Sequence, residues 1–200
     1  MVVIDASVLL LLLRPGTAVP ADVNGLPVDK PKERIEFLIS QLQKAREKIV
    51  IPSPALSEAL VRAGAQETQR IVDYLNKYAV FRIEPFDTRA AIEVAAMVRG
   101  ALASKGTKGK SVITWAKVKF DRQIVATAKV VGASKIYSDD GDIRTLAKQH
   151  NIVAMGIADL PLPEEERQFK LQLEGHSDGQ GQAVSPGADQ QDETSPPSAG

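Results

Sequence analysis

Apolar residues in this chain follow two rhythms that alternate along its length. Short continuous runs at residues 1–4, 48–51, 80–83, 135–138 and 152–155 predict strands, since unbroken rather than alternating hydrophobicity marks a strand covered on both faces. Between them apolar residues recur at helical spacing. A first helix is predicted to begin at Ser7, whose hydroxyl is placed to cap it, and to carry the run from Val8 to Leu13. Ile35, Leu38, Ile39, Leu42 and Ala45 then form one apolar face, with charged residues filling the other. Pro52 and Pro54 suit the first turn of a helix that carries Glu58. Further helices are predicted over 67–77, over 87–104 with Asp87 or Thr88 as cap, and over 143–150. Residues 105–110 break the pattern, a helical stretch follows through Trp115, and Asp121 opens another, in which Ile124, Val125, Ala128 and Val131 share a face and Gly132 is the stop. Strands alternating with helices in this order predict a parallel sheet covered on both sides.

Two stretches lack either rhythm. Residues 14–31 hold Pro15, Gly16, Pro20, Gly25, Pro27 and Pro31, which predicts a loop that is long for a compact domain. Residues 175–200 contain no aromatic and almost no aliphatic side chain, so they cannot bury enough surface to offset their ordering entropy and are expected to be disordered. Residues 164–173 are expected to extend as a helix between the two regimes. The predicted organisation is one folded domain over 1–163 and an acidic tail over 164–200.

Composition narrows the function classes. A 200-residue chain that is 44% hydrophobic can build a sizeable core without staples. Cysteine is absent, which removes disulfides, thiolate zinc sites and a cysteine nucleophile together and fits a reducing cytoplasm. The run from Val8 to Leu13 falls short of the ~20 apolar residues of a membrane span, and Asp5 with no preceding Lys or Arg argues against a signal peptide. A cytoplasmic protein without a membrane partner is therefore expected. The net charge of zero hides an asymmetry: from Glu164 onward eight acids face only Arg167 and Lys170, a net of −6, so the rest of the chain carries +6. That is a modest attraction for nucleic acid, although a mildly basic solvated surface is equally ordinary.

The residues with chemical potential are carboxylates at element boundaries: Asp5, Glu58, Asp121, Asp140 and Asp142. In an open α/β sheet the strand carboxyl ends face one crevice, and hard oxygen ligands gathered there suit Mg²⁺ or Mn²⁺. Asp5, between Ile4 and Val8, is costly in such apolar surroundings unless paired or metal-bound. Plainer accounts exist for the others: Asp121 and Asp142 as helix caps, Glu58 as a solvated helix acid. Lys105, Lys108, Lys110, Lys117, Lys119 and Arg122 lead past Asp121 and would either hold a phosphate backbone or simply solubilise a loop. Trp115 could stack on a base, but its apolar-periodic setting favours a core position. His150 reads as an ordinary partly exposed residue and His176 falls in the tail. Ser7 and Ser138 are therefore expected to hydrogen-bond a carboxylate or a phosphate oxygen rather than to act as nucleophiles.

Four segments, in order, carry a family likeness: Val2-Val-Ile-Asp-Ala-Ser7; Ile51-Pro-Ser-Pro-Ala-Leu-Ser-Glu58; Asp121-Arg-Gln-Ile-Val-Ala-Thr-Ala128 followed by Gly132-Ala133; and Ile136-Tyr-Ser-Asp-Asp-Gly-Asp142. Over roughly residues 1–160 the chain resembles the PIN-domain nucleases, whose fold serves the toxin ribonucleases of bacterial and archaeal toxin–antitoxin pairs. The resemblance implies an α/β protein, a three-layer α/β/α sandwich with a central parallel sheet of about five strands. It implies Asp5, Glu58, Asp121 and Asp140 as catalytic acids, with Asp5, Asp121, Asp140 and Asp142 around a Mg²⁺ or Mn²⁺ ion. It further implies an endoribonuclease acting on RNA, an antitoxin-like partner and a homodimer. The residue set has its own logic, because hydrolysing a phosphodiester needs a nucleophilic water and stabilisation of negative oxygens, which divalent ions supply. Three features depart from the pattern: Ile143 stands where the family has an aromatic, Asp139 beside Asp140 leaves two acids competing to face the metal, and the proline-rich loop and acidic tail exceed the usual compact toxin. The rival readings are a non-catalytic PIN-like RNA- or protein-binding module and, less well matched, a phospho-accepting receiver or a haloacid-dehalogenase phosphatase. The phosphatase would have Asp where Ser7 stands, and a late-strand lysine.

Overall fold

In the computed structural model the described residues are 1–14, 16–104 and 115–163, without the side chains of 102–104 and 115–119. The elements run β1 (Val2–Ile4), α1 (Ala6–Leu13), α2 (Pro31–Lys44), β2 (Ile49–Pro52), α3 (Ser53–Ala63), α4 (Ala65–Lys77), β3 (Phe81–Glu84), α5 (Thr88–Ser104), α6 (Trp115–Val130), β4 (Lys135–Tyr137), α7 (Gly141–Gln149), β5 (Val153–Met155) and a final 3-10 turn, Ile157–Asp159. The five strands form one parallel sheet in the order β3-β2-β1-β4-β5.

Strand alternation divides the core in two. Val2, Ile4, Ile49, Ile51 and Tyr137 pack with Leu9, Ile35, Ile71 and Leu75 of α1, α2 and α4. Val3, Val50 and Ile136 pack with Ala90, Met97, Ile124, Ala128 and Ala147 of α5, α6 and α7. Helices therefore cover both faces, which is why the strands read as unbroken apolar runs rather than as alternation. The three-layer α/β/α expectation is met.

Several boundaries differ from the sequence reading, each for a local reason. Asp5, not Ser7, caps α1: its Oδ1 accepts from the Val8 amide at 3.0 Å, the bond an N-cap makes three residues on. Asp140, not Asp142, caps α7, accepting from the amides of Asp142 and Ile143 at 2.8 and 3.4 Å. Asp121 does not open its helix, because α6 already runs from Trp115, so capping does not account for that residue. Asp87 does cap α5, through the Ala90 amide at 2.9 Å. Gly132 ends α6 as expected, at φ 65°, a left-handed conformation that a side chain would disfavour.

The strand order creates the site. From β1 the chain moves outward to β2 and β3, then crosses back to place β4 on the other side of β1. Between β1 and β4 the direction of winding reverses, and the crevice beyond the carboxyl ends of such strands is where α/β sheets bind ligands. The register pairs Ile4 with Tyr137, so Asp5 and Ser138 leave the sheet side by side.

Candidate metal centre

Asp5 is 3% exposed and held by three donors. The Ser7 hydroxyl donates to its Oδ1 at 2.7 Å beside the Val8 amide, and the buried Ser138 hydroxyl donates to its Oδ2 at 2.5 Å. Burial pushes its carboxyl up to about 6; the hydrogen bonds from Ser138, Ser7 and Val8 oppose that rise, and nearby Asp139 adds to it. Ser138 also accepts from the Asp140 amide at 3.0 Å, so one hydroxyl ties the Asp5 carboxylate to the turn that carries Asp140.

Next to this pair the helices bring three acids together. Asp121 from α6 and Asp140 and Asp142 from the start of α7 each offer a carboxylate oxygen, all within 4.8 Å of one another. Ligands on opposite sides of a Mg²⁺ ion stand roughly 4.2 Å apart, so a small closure would seat all three. The donors are hard oxygens, the type such ions prefer. By donor chemistry and spacing the residues fit a divalent cation.

Asp5, Ser7, Glu58, Asp121, Asp139 and Asp140 line one cavity of about 660 Å³. Two of its acids are engaged elsewhere. Glu58 stands on α3 with Oε1 2.6 Å from the Arg62 guanidinium one turn on, a partly exposed pair outside the three-acid group. Asp139 accepts from the Ile157 amide at 2.9 Å, and burial raises its carboxyl while Arg144 opposes the rise. A Cβ at Gly156 would sit 2.9 Å from Asp139 Oδ1 and 3.0 Å from Arg144 Nη1, so the turn approaches this acid as closely as only glycine allows. The two adjacent acids thus divide: Asp139 braces the last turn, and Asp140 joins Asp121 and Asp142.

This architecture has counterparts among solved structures. FitAB bound to an IR36 DNA fragment aligns over 80% of this chain and 98% of its own, with TM-score 0.51 at 17% identity. VapBC2 from Rickettsia felis, bound to a DNA fragment from its promoter, aligns over 78% and 98%, with TM-score 0.50 at 13% identity. The chain has a PIN-like fold. The resemblance drawn from the four segments is thereby met in three dimensions. No family model and no curated protein matches the sequence.

The PIN-like body places only part of the predicted cationic surface. Arg122 lines a second cavity of about 560 Å³ between α5, α6 and α7, together with Glu93, Asp121, Lys129, Asp142 and His150. Lys129 there is bonded to Glu93 at 2.6 Å. His150 is pushed down by burial and by Lys129. Lys105, Lys108 and Lys110, the side chains of Trp115, Lys117 and Lys119, His176 and the whole tail from 164 lie outside the described residues. Among the described residues no helix is long and apolar enough to cross a membrane. Sequence reasoning passed over Val61, Arg62 and Phe120, which also line the acid cavity. Their signal was positional: Val61 and Arg62 follow Glu58 by three and four residues, and Phe120 precedes Asp121.

Proposed function

We propose that the chain is a Mg²⁺- or Mn²⁺-dependent endoribonuclease whose ion is held by Asp121, Asp140 and Asp142, with Asp5 at their side. The observation that carries this reading is the convergence of three carboxylates from two helices at the winding reversal of the sheet, beside a fourth that is buried. When bound, the ion would make a water nucleophilic and stabilise the negative oxygens of the phosphodiester. The protein's own residues do the rest. Ser7 and Ser138, with the Val8 amide, fix the orientation of the Asp5 carboxylate. Glu58, on the cavity wall, would accept a proton once Arg62 turns from it to a phosphate, an exchange that an exposed ion pair resists only weakly. Arg122, on the far side of Asp121, would steady the backbone beyond the cut.

The same reading takes residues 1–163 as the nuclease domain and 164–200 as an acidic appendage. By resemblance it extends to an antitoxin-like protein partner, a homodimer and a cytoplasmic setting. A second reading, a non-catalytic PIN-like RNA- or protein-binding module, draws on the pairing of Glu58 with Arg62 instead of with the other acids. Purified full-length chain incubated with structured and single-stranded RNAs in Mn²⁺, Mg²⁺ or EDTA separates the two. Metal-dependent cleavage that disappears in Asp140→Asn supports the nuclease; RNA binding with no cleavage under any condition supports the module.

A further inference from the structure

Two large apolar side chains border the acid cavity in positions that core packing does not explain. Val61 is 80% exposed and Phe120 is 41% exposed, yet both line the cavity that holds Asp5, Asp121 and Asp140. Val61 lies three residues past Glu58 on α3 and so shares its face. Phe120 directly precedes Asp121 on α6, and α3 packs against α6. Single apolar residues scattered over a surface need no explanation. These two come from different helices and meet at one charged pocket.

We propose that Phe120 and Val61 form a shelf on which the nucleobase next to the scissile phosphate stacks. The proposal rests on the nuclease reading above. A nucleotide offers an anionic phosphate at one end and a flat apolar ring at the other. The cavity lining offers a counterpart to each, the Arg62 guanidinium and the ion of the proposed function for the phosphate, and an aromatic and an aliphatic side chain for the ring. Aromatic side chains accept any base on their faces, so the shelf selects for an unstacked base rather than for a sequence. A base inside a duplex is already stacked on its neighbours and cannot lie there without leaving them. Protein docking would also cover the shelf, and the sedimentation and affinity measurements below separate it from base stacking.

The test uses full-length protein and fluorescent RNA oligonucleotides: a single strand, the same strand with one abasic nucleotide walked along it, and a fully paired hairpin. Binding is read with the cleavage-deficient Asp140→Asn chain, and cleavage with otherwise wild-type chain in Mn²⁺. The intact single strand should bind about tenfold tighter than its best-placed abasic counterpart and than the hairpin. Adding Phe120→Ala should erase that difference, Phe120→Trp should keep it, and Val61→Ser should reduce it. In the cleavage assay the Phe120→Ala effect should fall on KM rather than on kcat. Melting temperatures of all variants check that folding is intact. Equal affinity for intact and abasic strands, or a difference that survives both Phe120→Ala and Val61→Ser, overturns the shelf. So does loss of self-association in Phe120→Ala, measured by sedimentation, with RNA affinity unchanged. The two readings fail separately: Phe120-dependent discrimination without any cleavage removes the nuclease and keeps the shelf, while cleavage indifferent to the abasic site does the reverse.

Discussion

The ends of β1 and β4 use the same local device and obtain different chemistry from it. Each strand runs parallel to the other and is followed by an Asp that caps the next helix, Asp5 after β1 and Asp140 after β4. Asp5 is enclosed by apolar neighbours and three donors, and burial pushes its carboxyl to about 6. Asp140 is half-buried, accepts from two amides, and faces two further acids. The difference lies in what stands beyond each turn. β1 is the central strand, and the α1 side chains behind Asp5, Leu9 and Leu10 among them, are buried. The helix after β4, α7, packs against α6, which supplies Asp121. A strand end thus points a carboxylate into the crevice, and the surrounding elements decide whether it is insulated or clustered.

The strongest way to break this contrast is to remove the clustered member. Asp140→Asn should lower metal-dependent RNA cleavage by about 10³-fold, the loss expected when a cation worth several kcal/mol to the transition state is misplaced. Its melting temperature should move little, because Asn caps a helix about as well as Asp. A variant that cleaves normally would show that Asp140 is a cap and nothing more.

The insulated member should behave in the opposite way. The folded carboxyl of Asp5 titrates near 6 against 3.8 for an unperturbed group, so the folded state holds its proton more tightly. The stability this confers is fully present below about pH 4 and is lost as pH rises through about 6, leaving a deficit of roughly 3 kcal/mol at neutral pH. Asp5→Asn should flatten that slope, raise the melting temperature at pH 7.5, and still depress cleavage. Thermal denaturation of both proteins from pH 4 to pH 8 reads it directly, and parallel curves would place the pH dependence elsewhere.

A cation should act on the cluster. Mn²⁺ at a hundred times its dissociation constant should stabilise the folded protein by about 2.7 kcal/mol, seen as a rise in melting temperature. The rise should vanish in the double variant Asp121→Asn, Asp142→Asn. If it persists undiminished there, the ion binds elsewhere.

The smallest effect comes from the hydroxyl that joins the two ends. Ser138→Ala removes one donor to Asp5 and one acceptor for the Asp140 amide, and should cost about 1–2 kcal/mol. Because the lost hydrogen bond held the Asp5 carboxyl down, its titration should move to higher pH, carrying with it the fall of stability on raising pH. An unmoved fall would mean that the two strand ends are not coupled through Ser138.

The strands and most helices could be read from the chain because their signal is local. Continuous burial leaves a continuous apolar run, as at Val2–Ile4, and one buried helix face leaves a repeat, as at Ile124, Val125 and Ala128. The acids at the strand ends were legible for the same reason, since a turn follows each strand. Details that depend on a single hydrogen bond were not: Asp5 rather than Ser7 as cap, and Asp140 rather than Asp142. The continuity of α6 was hidden as well, because the helical stretch through Trp115 and the face that Asp121 opens show no shared apolar stripe, yet from Trp115 to Val130 they are one helix.

The chain alone thus settled the order of the elements, that the sheet is parallel, and that carboxylates follow β1 and β4. Folding decided how those carboxylates divide: Asp5 insulated, Asp139 turned to the last turn, Glu58 paired with Arg62, and Asp121 brought to Asp140 and Asp142. The reason is physical. Hydrophobic periodicity is written into neighbouring residues, whereas the state of a carboxylate depends on desolvation and on charges that arrive from segments far away along the chain.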